Sequence, residues 1–200
     1  MTRGTWSAGL VFALTAVIAA GLESRAHAAF DTRVSSSSDS RDADSVKAAF
    51  VYNFAARHVK WPDTGGTDKT APFVIGVLGS DPIASSLVET CRNRKSGDRP
   101  IEVRVLEDVS SAASCQILVV PANRESAMPA IVETCRGRAI LIVASSEDAV
   151  RKGAHIGFFL EKSKVRFAAD PQAARKSGLE VSSELLKLAR VVDKSAGGPP

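Results

Sequence analysis

The chain has 200 residues, 44% of them hydrophobic and 24% charged, which excludes a wholly disordered protein. Its mean hydropathy of +0.01 excludes a polytopic membrane protein, and three cysteines exclude a disulfide-dense mini-scaffold. The length suits one domain, at about 100–200 residues per domain, and 26 Lys+Arg against 22 Asp+Glu give a net charge of +4.

The chain opens on Arg3, its only charge before Glu23, and an apolar run follows from Leu10 to Ala20. Glu23, Ser24 and Arg25 then lead to Ala26-His27-Ala28, a small-x-small site. A charged start, a short apolar stretch and that site predict a secretory signal peptide over residues 1–28. The run is too short for a membrane anchor, which needs about 20 apolar residues. The expected product is therefore exported. Removal of Arg3, Arg25 and Glu23 leaves 24 basic residues (26 less two) and 21 acidic (22 less one), a net of +3. That balance argues against a nucleic-acid protein, which carries a strongly basic stripe. The densest basic cluster, Arg92, Arg94, Lys95 and Arg99, has no aromatic interleaved with it and reads as a solvated loop.

Residues 29–43 hold four consecutive serines and alternating Asp and Arg, the composition of a flexible leader. Residues 44–192 form the expected domain, and 193–200 a flexible tail. Asp44 and Ser45 are placed to cap a helix reaching Val59. Val46, Ala49, Phe50, Asn53 and Phe54 fall on one face of it, and Trp61-Pro62 ends it. The apolar run Phe73–Leu78 reads as a strand buried on both faces. Asp81 and Pro82 then open a helix to Cys91. Ile101–Leu106 alternates as a half-buried strand. Ile117–Val120 is a buried strand, Ser126–Cys135 a helix, and Ala139–Val143 a further strand. Ile156–Leu160 and Val165–Ala168 pair as a hairpin across Glu161–Lys164. Pro171 opens a helix that Gly178 closes, and Ser182-Ser183 starts the last one. This order predicts a single α/β domain: a mostly parallel mixed sheet, covering helices and a C-terminal antiparallel hairpin. The string Val88–Arg92 recurs as Val132–Arg136, each at a helix end, and reads as coincidence or local convergence.

Catalytic motifs are missing: no Gly-x-Ser-x-Gly elbow, no Ser-x-x-Lys pair and no glycine-rich nucleotide loop occur. His58 and His155 stand far apart and outside any paired metal-ligand spacing. No enzyme, cofactor or metal is expected. Gly79, Ser80 and Asp81 have two readings, a plain turn and cap, or a ligand site at the carboxyl end of a parallel strand. In an oxidising compartment Cys91, Cys115 and Cys135 allow three single pairings. Cys91 and Cys135 lead because they sit at equivalent helix ends. Tyr52, Phe54 and Trp61 read either as core or as part of a partner-binding face.

The segment Lys47-Ala-Ala-Phe-Val-Tyr-Asn-Phe-Ala55 with Trp61-Pro62 resembles the opening of YfiR-family periplasmic proteins. Val77–Pro82, Gly97–Pro100, Cys115–Leu118, Gly137-Arg138, Ala173–Leu179 and Ser182–Ala189 resemble the family in the same order, over about residues 46–192. The resemblance implies a periplasmic repressor that binds the periplasmic region of an inner-membrane diguanylate cyclase and lowers cyclic di-GMP and biofilm output. It further implies release by an OmpA-like outer-membrane lipoprotein, and a homodimer. The expected partner surface comprises Tyr52, Phe54 and Trp61 with Phe158 and Phe167 of the hairpin. Three positions depart from the family pattern. Gly157 stands for its usual Asn, Ala168 for its Glu after Phe167, and Asp170 for the Asn opening the next helix. The alternative function is a periplasmic small-ligand sensor module, using Gly79, Ser80 and Asp81, that serves another membrane signalling protein.

Overall fold

A computed structural model describes residues 39–62 and 71–192. The expected signal peptide, leader residues 29–38, the loop over 63–70 and the tail lie outside the described residues. The described residues from Arg41 onward form one compact unit.

Helix α1 is helical from residue 39 to 53, so it takes in the expected end of the leader. Asp44 and Ser45 therefore stand within it rather than capping it. Asp44 accepts from Lys47 Nζ at 3.0 Å, and Ser45 Oγ donates back to Arg41 O at 3.0 Å. The helix widens into a π turn over Phe54–His58, closed by Val59 N–H donating to Phe54 O. Strands β1 (Val59–Lys60), β2 (Phe73–Leu78), β3 (Lys95–Ser96), β4 (Arg99–Leu106) and β5 (Ile117–Val120) follow, with helix α2 (Ile83–Cys91) between β2 and β3. Next come α3 (Met128–Cys135), β6 (Leu141–Ala144), α4 (Glu147–Arg151), β7 (Ile156–Glu161) and β8 (Lys164–Ala169). The chain closes on α5 (Pro171–Lys176), β9 (Glu180–Val181), α6 (Ser183–Leu188) and β10 (Arg190–Val191).

The main sheet has eight strands in the order β10-β8-β7-β6-β5-β2-β4-β3, and β1 pairs with β9 in a separate antiparallel ribbon. Its pairings are parallel except β7–β8 and β3–β4. The expected hairpin is present, and its loop residues Lys162 and Ser163 have φ of 51° and 61°. Two left-handed residues make the loop type whose twist suits adjoining strands.

The sheet separates two cores. From β2 the chain crosses through α2 to β4 on one side; from β5 it crosses through α3 to β6 on the other. A right-handed crossover taken in opposite directions sends its helix to opposite faces. Ile83, Leu87 and Cys91 of α2 accordingly join Ile75, Val77, Val119 and the end of α1. Met128, Ile131 and Cys135 of α3 join Val74, Leu118 and Ile142. Because β8 runs antiparallel to β7, the crossover from β8 to β10 changes face again. It brings Ala174 of α5 and Leu185 of α6 to the α2 side.

Candidate functional site

The aromatic positions divide into buried and half-exposed groups. Phe54 is fully buried and Phe158 and Phe167 are buried in the core on the α2 face. The helical spacing of α1 sets Phe50 beside Phe54, and the hairpin register sets Phe158 opposite Phe167. Together the four rings form one cluster with centroids 5.4–6.4 Å apart, which seats α1 on the hairpin. Phe54, Phe158 and Phe167 thus offer no contact surface of their own in this conformation.

Tyr52 and Trp61 stay half-exposed, one before the π turn and one after it. Tyr52 lies beside an arginine brought by distant chain, and Trp61 beside a phenylalanine that an arginine also approaches. The Arg94 guanidinium lies 4.7 Å from the centre of the Tyr52 ring. Trp61 packs edge-on against Phe73 at 4.9 Å, and Arg99 approaches the same Phe73 ring at 5.6 Å. Arg99 is held by donating to Ala71 O at 2.8 Å and Pro72 O at 2.6 Å, and Trp61 Nε1–H donates to Gln116 O at 3.3 Å. The basic cluster expected to be a solvated loop is therefore interleaved with aromatics in space, though not in sequence. Half-exposed Tyr, Trp and Arg are the residue types enriched at protein-binding hot spots. The missed signal was the β3–β4 hairpin itself, whose two-residue strand is too short to show a period.

A second exposed region surrounds the tip of the β7–β8 hairpin. Leu160 and Leu188 are each 64% exposed. Beside Leu188, Arg190 lies 4.3 Å above the half-buried Phe159 ring and donates to Glu147 and Glu161 at 2.7 Å each.

Gly79, Ser80 and Asp81 stand at the carboxyl end of β2, where the chain reverses its direction across the sheet. Such a reversal is where open α/β sheets place ligands. Gly79 has φ of 79°, which suits glycine, and its N–H donates to Leu106 O at 2.7 Å. The Asp81 carboxylate accepts from Ile83 N–H at 2.9 Å and so acts as a helix cap.

The two histidines each meet a serine. Buried His155 accepts at Nδ1 from Ile142 N–H, 2.9 Å away, so its proton sits on Nε2 and points at Ser177 Oγ, 3.0 Å away. That is the reverse of the polarity a catalytic base needs towards a serine nucleophile. His58 Nδ1 lies 3.1 Å from Ser182 Oγ, which caps α6 by accepting from Leu185 N–H.

All three cysteines are buried and free. The expected Cys91–Cys135 pair is not formed, because Cys91 lies in the core on the α2 face and Cys135 in the core on the α3 face. Equivalent helix ends in sequence are on opposite sides of the sheet in space. Desolvation pushes all three thiols up, Cys91 to about 11. Among the described residues, no cluster of three potential metal ligands occurs and no helix is long and apolar enough to cross a membrane.

The profile of a protein family described as YfiR/HmsC-like matches residues 44–190. No curated protein matches the chain.

Proposed function

Because the chain belongs to the YfiR/HmsC-like family, we propose that it represses an inner-membrane diguanylate cyclase by binding the cyclase's periplasmic region. Members of the family are periplasmic regulators of diguanylate cyclase signalling. Repression needs no chemistry, only tighter binding to the inactive state of the target. The reading is supported by half-exposed Tyr52 beside Arg94 and half-exposed Trp61 packed on Phe73, a ring that Arg99 also approaches. An OmpA-like outer-membrane lipoprotein competes for the protein and lifts the repression, and the repressor works as a homodimer.

The test is cyclic di-GMP measured in cells that carry the cyclase. Tyr52→Ala and Trp61→Ala, each shown to be folded by circular dichroism, should raise cyclic di-GMP towards the level of cells lacking the repressor. Full repression by both folded variants would remove this surface from the account. Phe54→Ala is a poor probe, since truncating a buried phenylalanine costs about 3–5 kcal/mol of stability.

A further inference from the structure

His155 ties three elements together at one corner of the sheet. It stands just before β7 and is 4% exposed. Two backbone groups of Ile142 in β6 go to it. The His155 N–H donates to Ile142 O at 3.0 Å, and Ile142 N–H donates to ring nitrogen Nδ1 at 2.9 Å. The His155 carbonyl accepts from Asp170 N–H, just after β8, at 2.9 Å. Its Nε2–H meets Ser177 Oγ, at the end of α5, at 3.0 Å. The ring thus takes the place that a carbonyl would fill in the ladder, for the amide of a residue that is itself buried.

Nδ1 can accept only while it carries no proton. A peptide N–H always donates, so a proton on Nδ1 sets two N–H groups against each other. The imidazolium and the Ile142 bond therefore exclude one another. Loss of the bond strands a buried donor, which the folded state penalises.

The charges around the ring do not reverse this. His155 helps to line a cavity of about 260 Å³. From α3 and its end come Cys135 and Arg136, and from α5 and its start Asp170 and Lys176. The turn after α4 brings Gly153 and β6 brings Ile142, neither of which titrates. Arg136 and Lys176 disfavour a further cation, as does Arg138, whose charge reaches Cys135. Arg136 is paired with Glu133 at 2.6 Å. Burial pushes the Cys135 thiol up and keeps it neutral. Asp170 favours a cation, but its Oδ1 is turned to the start of α5, where it accepts from Gln172 N–H at 3.0 Å and Ala173 N–H at 2.8 Å.

We propose that His155 is an acid-sensitive latch, joining β6 to the end of β8 and to α5 while its ring is neutral and releasing that corner when the ring takes up a proton. The latch stands whether or not the chain represses a cyclase.

The sign follows from linkage. An unfolded histidine binds its proton near pH 6.5, and the latched ring does not. The latch therefore contributes fully above that pH and loses its contribution as pH falls below it. Complete exclusion of the proton raises the unfolding equilibrium constant about thirtyfold between pH 7.5 and 5.0.

Urea unfolding of the full chain and of His155→Asn at those two pH values tests it. Asn Oδ1 takes the position of Nδ1 as acceptor and does not titrate. The wild type should lose at least about tenfold more of its folding equilibrium than the variant on going to pH 5.0. Equal losses in the two proteins overturn the latch. Nitrogen NMR of wild-type chain carrying 15N-histidine decides the matter even where the variant fails to fold. Nδ1 of His155 should stay unprotonated from pH 7.5 to 5.0 for as long as the chain is folded. A ring that takes up its proton near pH 6.5 while the Ile142 amide remains protected from exchange overturns the proposal.

Discussion

Cys91 shows how one buried side chain makes stability depend on pH. It is 3% exposed at the end of α2. Desolvation raises its thiol from the ordinary 9.0 to about 11, against an opposing pull from Arg94. The unfolded chain therefore ionises first as pH climbs. The contribution is complete below about pH 9 and is lost progressively between about 9 and 11. Urea midpoints should fall across that window, and the fall should be shallower in Cys91→Ala. Equal slopes in the two proteins would show that Cys91 contributes nothing to it. Burial of a residue such as this is legible from an apolar helix face. The company kept by the aromatics is not. Tyr52 and Trp61 read like Phe54 in sequence, and they differ because Arg94 arrives from elsewhere in the chain beside Tyr52, and Phe73 and Gln116 beside Trp61.

Among the elements, β7 carries a tight constraint at Gly157. A Cβ there would run into the Ser146 carbonyl oxygen and approach Val150 Cγ2 to 2.7 Å. Ser146 is the N-cap of α4, its hydroxyl accepting from Ala149 N–H at 3.1 Å. The start of α4 thus lies directly on β7, and a side chain as large as Asn has no room at this position. Gly157→Ala should lose about 1–3 kcal/mol, the usual cost of forcing atoms into a packed site, and Gly157→Asn should lose more. Urea unfolding of the three proteins measures this; unchanged stability in the Asn variant would mean that α4 shifts freely. Helix α4 itself was not legible in the sequence. Five residues hold little more than one turn, too few for a 3.6-residue period to show. The two-residue strands β1, β3, β9 and β10 escaped for the same reason. The apolar runs Phe73–Leu78 and Ile117–Val120 did not, since short β-branched apolar runs are what strands buried on both faces look like. At the start of α1, Asp44 and Ser45 misled because capping residues are equally able to ion-pair or bond back to the backbone one turn earlier.

Across the whole molecule, alternation of strand and helix was enough to predict a mostly parallel sheet, but not the order of its strands. Sequence periodicity records which side of an element is apolar and is silent on which way the next crossover turns. The consequence falls on the cysteines. Had β2–α2–β4 and β5–α3–β6 turned the same way, Cys91 and Cys135 would share one face. They turn opposite ways about the β2–β5 junction, so the sheet stands between the two thiols. Sheet and covering helix side chains fill that space, and a disulfide needs its Cα atoms within about 7 Å. No small movement of either helix provides that. Chain unfolded without reductant, alkylated and digested should therefore yield no linked Cys91–Cys135 peptide by mass. A linked Cys91–Cys135 peptide with a single alkylated thiol at Cys115 would mean that α2 and α3 cover the same face, and the handedness argument for the entire sheet would fall with it.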